Sequence, residues 1–263
     1  MPSAAPEARE ARFRRRFGGF GGPRSVTQDA RRAISLLAAV VAIGATGEPA
    51  VAQSDSTSAA RPAWVVDGVP DTVWVLVEAA IGAESADRTK ELLKGAEAHA
   101  RSAVEGHEDD VGRRFALAVV LGLRADREGG RTKVNAASQL HEELEAILAL
   151  EPEHARARHM LGRLHAGVLR MNRVTRWLAT NLLGGGELKK ATWEEAERNL
   201  TFAEQQVPEV SDHHLQLANL YRDTKRPELA LAEAEHVLSL PVRSAMEQAV
   251  YDEASDLKRR LGL

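Results

Sequence analysis

Nine histidines, a glycine run and several acidic pairs are the residues here that could hold a metal, activate water or cradle a phosphate. His141-Glu142 opens like the HExxH motif of zinc proteases, in which two imidazoles one helical turn apart grip the metal. The second imidazole belongs at position 145, and the chain has Glu145 there, so the motif fails. His154, His159 and His165 are five and six residues apart, a spacing that spreads them around a helix. His213 and His214 are consecutive and cannot both face one ion from a helix. Gly184-Gly185-Gly186 leads into Glu187 and Leu188, without the Lys-Ser/Thr of a phosphate loop, and no G-x-S-x-G nucleophile elbow occurs. Glu142-Glu143 and Glu194-Glu195 lie on amphipathic stretches and read as solvated faces. The residues thus offer no catalytic set, no metal site and no need for a cofactor, and the expectation is a non-enzymatic protein.

One segment has a pattern of its own. Val168, Met171, Val174, Leu178 and Leu182 share a helical face, with Arg170, Arg173 and Arg176 spaced three apart and Trp177 beside them. An apolar stripe next to a row of cations is how a helix lies in a lipid interface. The plainer expectation is a clasp: the stripe packs on the rest of the fold, Trp177 is buried and the arginines are wetted. Arg170, Arg173, Arg176 and Trp177 are the candidates for a lipid or partner contact if the stripe faces outward.

The elements that position these residues repeat. Leu217, Ala218 and Tyr221 mark one side of a first helix; Ala230, Ala234 and Val237 mark one side of a second, which starts at Pro227 and stops before Pro241. Leu161, Gly162 and His165 repeat the first pattern, and Ala196, Leu200 and Ala203 the second. Gly162 and Ala196 are 34 residues apart, against 12 for Ala218 and Ala230, which leaves a 22-residue insertion at about 168–190. The register predicts His165 as a satisfied core histidine in the place of Tyr221. It also predicts Ala230 at the closest crossing of the last hairpin. Helical periods also cover residues 87–104, a stretch that Asp109 or Asp110 caps before the Gly129-Gly130 break, and 133–150. Residues 65–77 are rich in Val and Trp but read as a helix running to Ile81, with Asp71 as its cap. Residues 243–261 predict a helix that covers the end of the stack. The class is all-α: a tetratricopeptide-like solenoid of stacked antiparallel hairpins over 71–263, with a C-terminal capping helix.

Residues 1–52 read as an N-terminal extension and signal peptide. Residues 1–25 are Arg- and Gly-rich with no helical period, which points to a start nearer Val26. Arg31-Arg32 precede an apolar run at 33–43, too short to span a bilayer, and Ala50-Val51-Ala52 is a cleavage signal. Residues 53–70 then form a flexible linker. Export to the periplasm or beyond follows, with cleavage after Ala52 and no transmembrane span thereafter. Eight of the 35 basic and four of the 38 acidic residues fall before residue 53, so the remainder is more acidic than the formal −3 of the whole chain. That balance argues against nucleic acid as the partner. Cysteine is absent, so neither disulfides nor a lipid-bearing cysteine can support an exported form.

The order ARHMLGRLH at 157–165, WLATNLLGGG at 177–186, ATWEEAERNL at 191–200 and HHLQLANLYRDTKRPELALAEAEHVLSLP at 213–241 resembles the regulator of microtubule dynamics family, in particular its exported bacterial relatives. The resemblance covers about residues 84–261. The insertion that closes on a glycine turn before a Trp-Glu-Glu-Ala helix is its most specific part. It implies an all-α solenoid with a non-enzymatic binding role. An exported chain does not meet cytosolic microtubules, so that function is not carried over. The expected role is a scaffold whose concave groove, lined by His165, Gln216, Asn219 and Arg222, takes a peptide or protein. The rival is a module for lipid or another apolar ligand that uses the inserted helix.

Overall fold

The structure, a computed structural model, describes residues 69–262. The signal sequence, its cleavage site and most of the linker lie outside them. Among the described residues there are ten α-helices, one 3-10 segment and no strand. The helices are α1 (Asp71–Ile81), α2 (Ala86–Val104), α3 (Val111–Arg127), α4 (Gly130–Leu150), α5 (Ala155–Arg170), α6 (Arg173–Asn181), α7 (Trp193–Gln206), α8 (Ser211–Asp223), α9 (Pro227–Ser239) and α10 (Ala245–Leu261). The 3-10 segment, Glu187–Lys190, lies between α6 and α7.

The ambiguous Val/Trp stretch is helical because its period buries Val73, Trp74, Val77 and Ala80 on one side. Asp71 is not its cap. Pro70 holds that position without a side-chain bond, and Asp71 sits in the first turn, where its charge favours the helix dipole. Side-chain caps start several of the other helices. Ser85 accepts from the Arg88 amide, Asp110 from Arg113, Asn172 from Thr175, Thr192 from Glu195 and Ser244 from Glu247. Pro227 opens α9 at its first turn, where a missing N–H costs nothing.

Successive helices pack on one another, with one detour. The partner of α5 is α7, and α6 with the 3-10 segment stands between them in the chain. Gly162 explains how closely α5 and α7 meet: a Cβ there would lie 2.7 Å from Leu200 Cγ and 2.9 Å from the Ala196 carbonyl oxygen. Ala218 and Ala230 are both fully buried at the matching level of α8 and α9. One apolar core runs through α1–α4 into α5, a second joins α5, α7 and α8, and a third joins α8, α9 and α10. Polar ties reinforce the joints. Glu97 of α2 is bonded to both Arg101 and Arg124, and Arg226 grips Glu197 of α7 through two bonds of 2.7 and 2.8 Å.

The insertion is anchored by glycine rather than by tryptophan. Gly185 is buried so tightly that a Cβ would stand 2.7 Å from Val134 Cγ1, and Gly184 has φ +92°, a backbone that L side chains resist. Ala179 and Leu188 complete a small core with Val134, Ala137 and Val168. The expected clasp through Trp177 is not what forms. Trp177 is 56% exposed, Val174 69% and Leu182 58%. The physical reason is a break in the predicted face: α5 ends at Arg170, Asn172 caps a new helix, and the stripe drawn through Val168 and Val174 is split between two axes.

Two glycines of α5 test the packing in opposite senses. Gly162→Ala should destabilise by about 1–3 kcal/mol through overpacking against Leu200. Gly167 has nothing within 4 Å of the place a Cβ would take, so Gly167→Ala should stabilise by about 0.4–1 kcal/mol. Urea melts of the two variants should therefore move to opposite sides of the wild-type midpoint.

Candidate functional site

A cavity of about 590 Å³ opens on the side where α3, α5 and α8 face one another. Its apolar base is built from Ala125 of α3, Val134, Ala137 and Leu140 of α4, and Met160, Leu164 and Val168 of α5, with Met171 and Leu188 from the insertion. The polar part comes from Asp126, Lys133, Arg163, Arg170, Gln216, Asn219, Arg222 and Glu253. Helical spacing explains the second set: Gln216, Asn219 and Arg222 recur every three residues along one side of α8.

Carboxylates hold this rim in place. Asp223 accepts from Arg170 Nε at 2.5 Å, which draws the ends of α5 and α8 together, and within α8 it accepts from its neighbour Arg222 Nη2 at 2.7 Å. Asn219 donates to Glu253 of α10 at 3.2 Å. Asp126 is reached by solvent but stands among the cavity walls. Burial by those walls raises its pKa, against the pull of Arg163, Lys133 and Arg127. The arrangement offers amide and guanidinium donors above an apolar base, a surface suited to backbone carbonyls or carboxylates of an extended chain.

Three of the four groove candidates, Gln216, Asn219 and Arg222, share this cavity. His165 does not. It is 4% exposed and stacks on His141, with ring centroids 5.4 Å apart. It is buried as its register required, yet it is not satisfied: neither of its ring nitrogens, nor those of His141, has a hydrogen-bond partner among the described residues. Burial, helped by the neighbouring His141, depresses its pKa to about 4. The arginine row is also divided. Arg170 turns into the cavity, Arg176 Nη1 reaches the Leu169 carbonyl at 3.4 Å, and Arg173 points to solvent.

Behind the rim lies a buried polar chain that helix-by-helix reading missed. His159 Nε2 donates to Asp212 Oδ2 at 3.0 Å, and His213 Nδ1 donates to His159 Nδ1 at 2.9 Å. The carboxylate fixes the order of protons. It takes the Nε2 proton of His159, which leaves Nδ1 of that ring free to accept. His213 then ends the chain with a buried Nε2 lone pair. Arg163 at 3.3 Å and Gln216 at 3.0 Å complete the shell of Asp212. Burial would raise the Asp212 pKa, but Arg163 and these bonds outweigh it and hold the carboxyl well below the usual range. Burial lowers both His159 and His213. The one local hint was the i, i+4 spacing of Asp212 and Gln216 on an otherwise apolar register. The neighbouring His214 differs: burial alone would lower it, but Glu233 and the Pro208 carbonyl, each 2.8 Å from a ring nitrogen, raise its pKa. No group of three or more His, Asp or Glu side chains among the described residues is placed to hold a metal.

The family model of regulator of microtubule dynamics protein 1-3 matches residues 70–262, from the first described helix to the last. The chain belongs to this family. No curated protein matches it. As a member of the regulator of microtubule dynamics family, it carries its cavity within the matched region, and no helix among the described residues is long and apolar enough to cross a membrane.

The histidines give the fold a directional response to acid. His165 has a folded pKa of about 4 against an ordinary value of 6.5. Its neutral form therefore supports the fold above pH 6.5, and that support is lost as pH falls from 6.5 toward 4. His141, His159 and His213 act in the same sense, while His214 opposes them. Wild-type stability should fall across this window, with His165 contributing about 3 kcal/mol. His165→Leu should flatten the slope in urea melts at successive pH values, and an unchanged slope would contradict the assignment.

Proposed function

We propose that the chain is a non-enzymatic helical scaffold that binds a peptide or protein segment in the cavity between α3, α5 and α8. In this reading α3–α4, α5–α7 and α8–α9 are stacked tetratricopeptide-like hairpins, the cavity is their concave groove, and α10 covers the last pair. The carrying observation is that first helices of three successive hairpins contribute to one open surface, with Gln216, Asn219 and Arg222 on it. Grooves of this kind take extended or helical segments through several shallow pockets, and their affinity comes from many modest contacts. Membership of a family of helical proteins supports an interaction role. The absence of a phosphate loop, a nucleophile elbow and HExxH spacing supports a role without chemistry.

Gly167 supplies a clean test, since it lines the cavity and has open space above it. Gly167→Trp should fill the groove without disturbing the core. Peptides selected from a displayed library against the wild-type protein should bind this variant at least about tenfold more weakly, as the loss of one well-packed contact allows. Arg222→Glu should weaken them as well, while both variants stay folded and melt within about 1 kcal/mol of wild type. Selected peptides that bind all three proteins equally would place the site elsewhere.

Export belongs to the same proposal and is tested separately. Ala52→Arg should block processing, because the cleavage pocket accepts only small side chains there. The exported wild-type protein should begin at Gln53, and a mature form that retains residues 33–43 would contradict this.

A further inference from the structure

The outer face of α6 is unlike the rest of the surface. Eight large hydrophobic side chains are exposed among the described residues, and four of them, Val174, Trp177, Leu178 and Leu182, fall within this one segment. At about 100° per residue they surround a single direction, opposite the buried Ala179 and Thr180. Concentrated exposure of this kind marks a contact surface, whereas scattered hydrophobics do not.

We propose that this face docks on the surface of an anionic lipid bilayer. Charge is the first reason. No Asp or Glu occurs between Glu153 and Glu187, and of the six arginines in that stretch Arg173 and Arg176 lie on α6, whereas Arg163 and Arg170 are paired with Asp212 and Asp223 at the cavity. Arg173 stands at the edge of the exposed apolar face, beside Trp177, where its guanidinium can reach head groups while the stem lies along the apolar face. The second reason is the state of the helix end. Carbonyl groups at a helix C-terminus ordinarily need water, and that makes them costly to move into an apolar interface. Here several of them have partners within the protein. Thr180 Oγ1 bonds the Arg176 carbonyl at 3.0 Å and Asn181 Nδ2 bonds that of Trp177 at 2.9 Å. The Leu182 amide bonds the Leu178 carbonyl at 2.9 Å, and the Gly185 amide bonds that of Ala179 at 3.0 Å. Such partners lower the cost of bringing this end of α6 into an interface poor in water. The third reason is rigidity. Asn172 caps the helix and Gly185 locks it on Val134, so the face is preformed and loses little freedom on docking. Trp177 is the residue type favoured at such depths.

The surface is separate from the groove, and the two can fail independently. Full-length protein is mixed with vesicles of equimolar phosphatidylglycerol and phosphatidylcholine that carry brominated acyl chains. The wild type should show quenching that Trp177→Phe lacks, and that difference reports α6 even if another segment also touches lipid. Val174→Asp with Leu178→Asp, both at exposed positions, should keep wild-type melting and weaken α6 docking by more than about tenfold. Gly167→Trp should leave docking unchanged. Equal quenching of wild type and Trp177→Phe would overturn the proposal. So would concentration-dependent self-association that the double variant abolishes while vesicles have no effect on Trp177, since the occupant would then be a second copy of this chain.

Discussion

The close crossing of α5 and α7 is the constraint on which the rest depends. Gly162 lets the two backbones approach until Leu200 and the Ala196 carbonyl fill the space a side chain would take. Once that contact is made, the residues between the two helices must leave the pair and return within a fixed span. They do so as a short capped helix, a glycine turn and a 3-10 segment, locked on α4 at Gly185. The excursion contributes Met171 and Leu188 to the cavity wall and turns Val174, Trp177 and Leu178 outward. The crossing fixes where the insertion leaves and returns, and the Asn172 cap and the Gly185 contact then set its inner and outer surfaces.

Carboxylates organise the polar side of the same region. Asp212 and Asp223 stand at opposite ends of α8, and each ties that helix to α5. Asp212 does it through His159 and Arg163 in a buried shell, while Asp223 does it through Arg170 at the cavity edge. A buried carboxylate with three donors is fully compensated and specifies one alignment of the helices. The stacked His141 and His165 are the opposite case. They are buried with no partners among the described residues, so they fill space at the cost of unpaired ring nitrogens, and the penalty grows when protons are offered.

Much of the helical framework was legible in the sequence because it rests on local signals. Asp110, Pro227 and the start of α7 beside Trp193 follow from capping and spacing, and each element needs only its own residues to be seen. The glycine and alanine positions at 162, 196, 218 and 230 were legible for the same reason. What escaped was set by tertiary geometry. Asp71 looked like a cap, but Pro70 fixes the entry of α1 and moves the boundary by one residue. Arg170, Arg173 and Arg176 formed a row only on the assumption of one continuous helix, and the Asn172 cap divides it. The pairing of His159 with His213 joins residues on two helices, and no period within either one contains it.

The groove and the α6 face also differ in what would recognise them. The groove has donors in matched pairs with carboxylates, and its net charge is small. A segment bound there as proposed would be selected by shape and by hydrogen bonds, not by long-range attraction. The α6 face has apolar area, arginine and no acid in the surrounding sequence, which suits a large surface of diffuse negative charge and gives little discrimination between individual molecules. A scaffold that holds one segment by shape and another surface by charge gains effective concentration without any new contact between the two, provided the groove stays open when α6 is engaged. The geometry meets that condition on one point. The residues of α6 that face outward do not line the cavity, and the insertion residues that do line it, Met171 and Leu188, lie on either side of α6 in the chain.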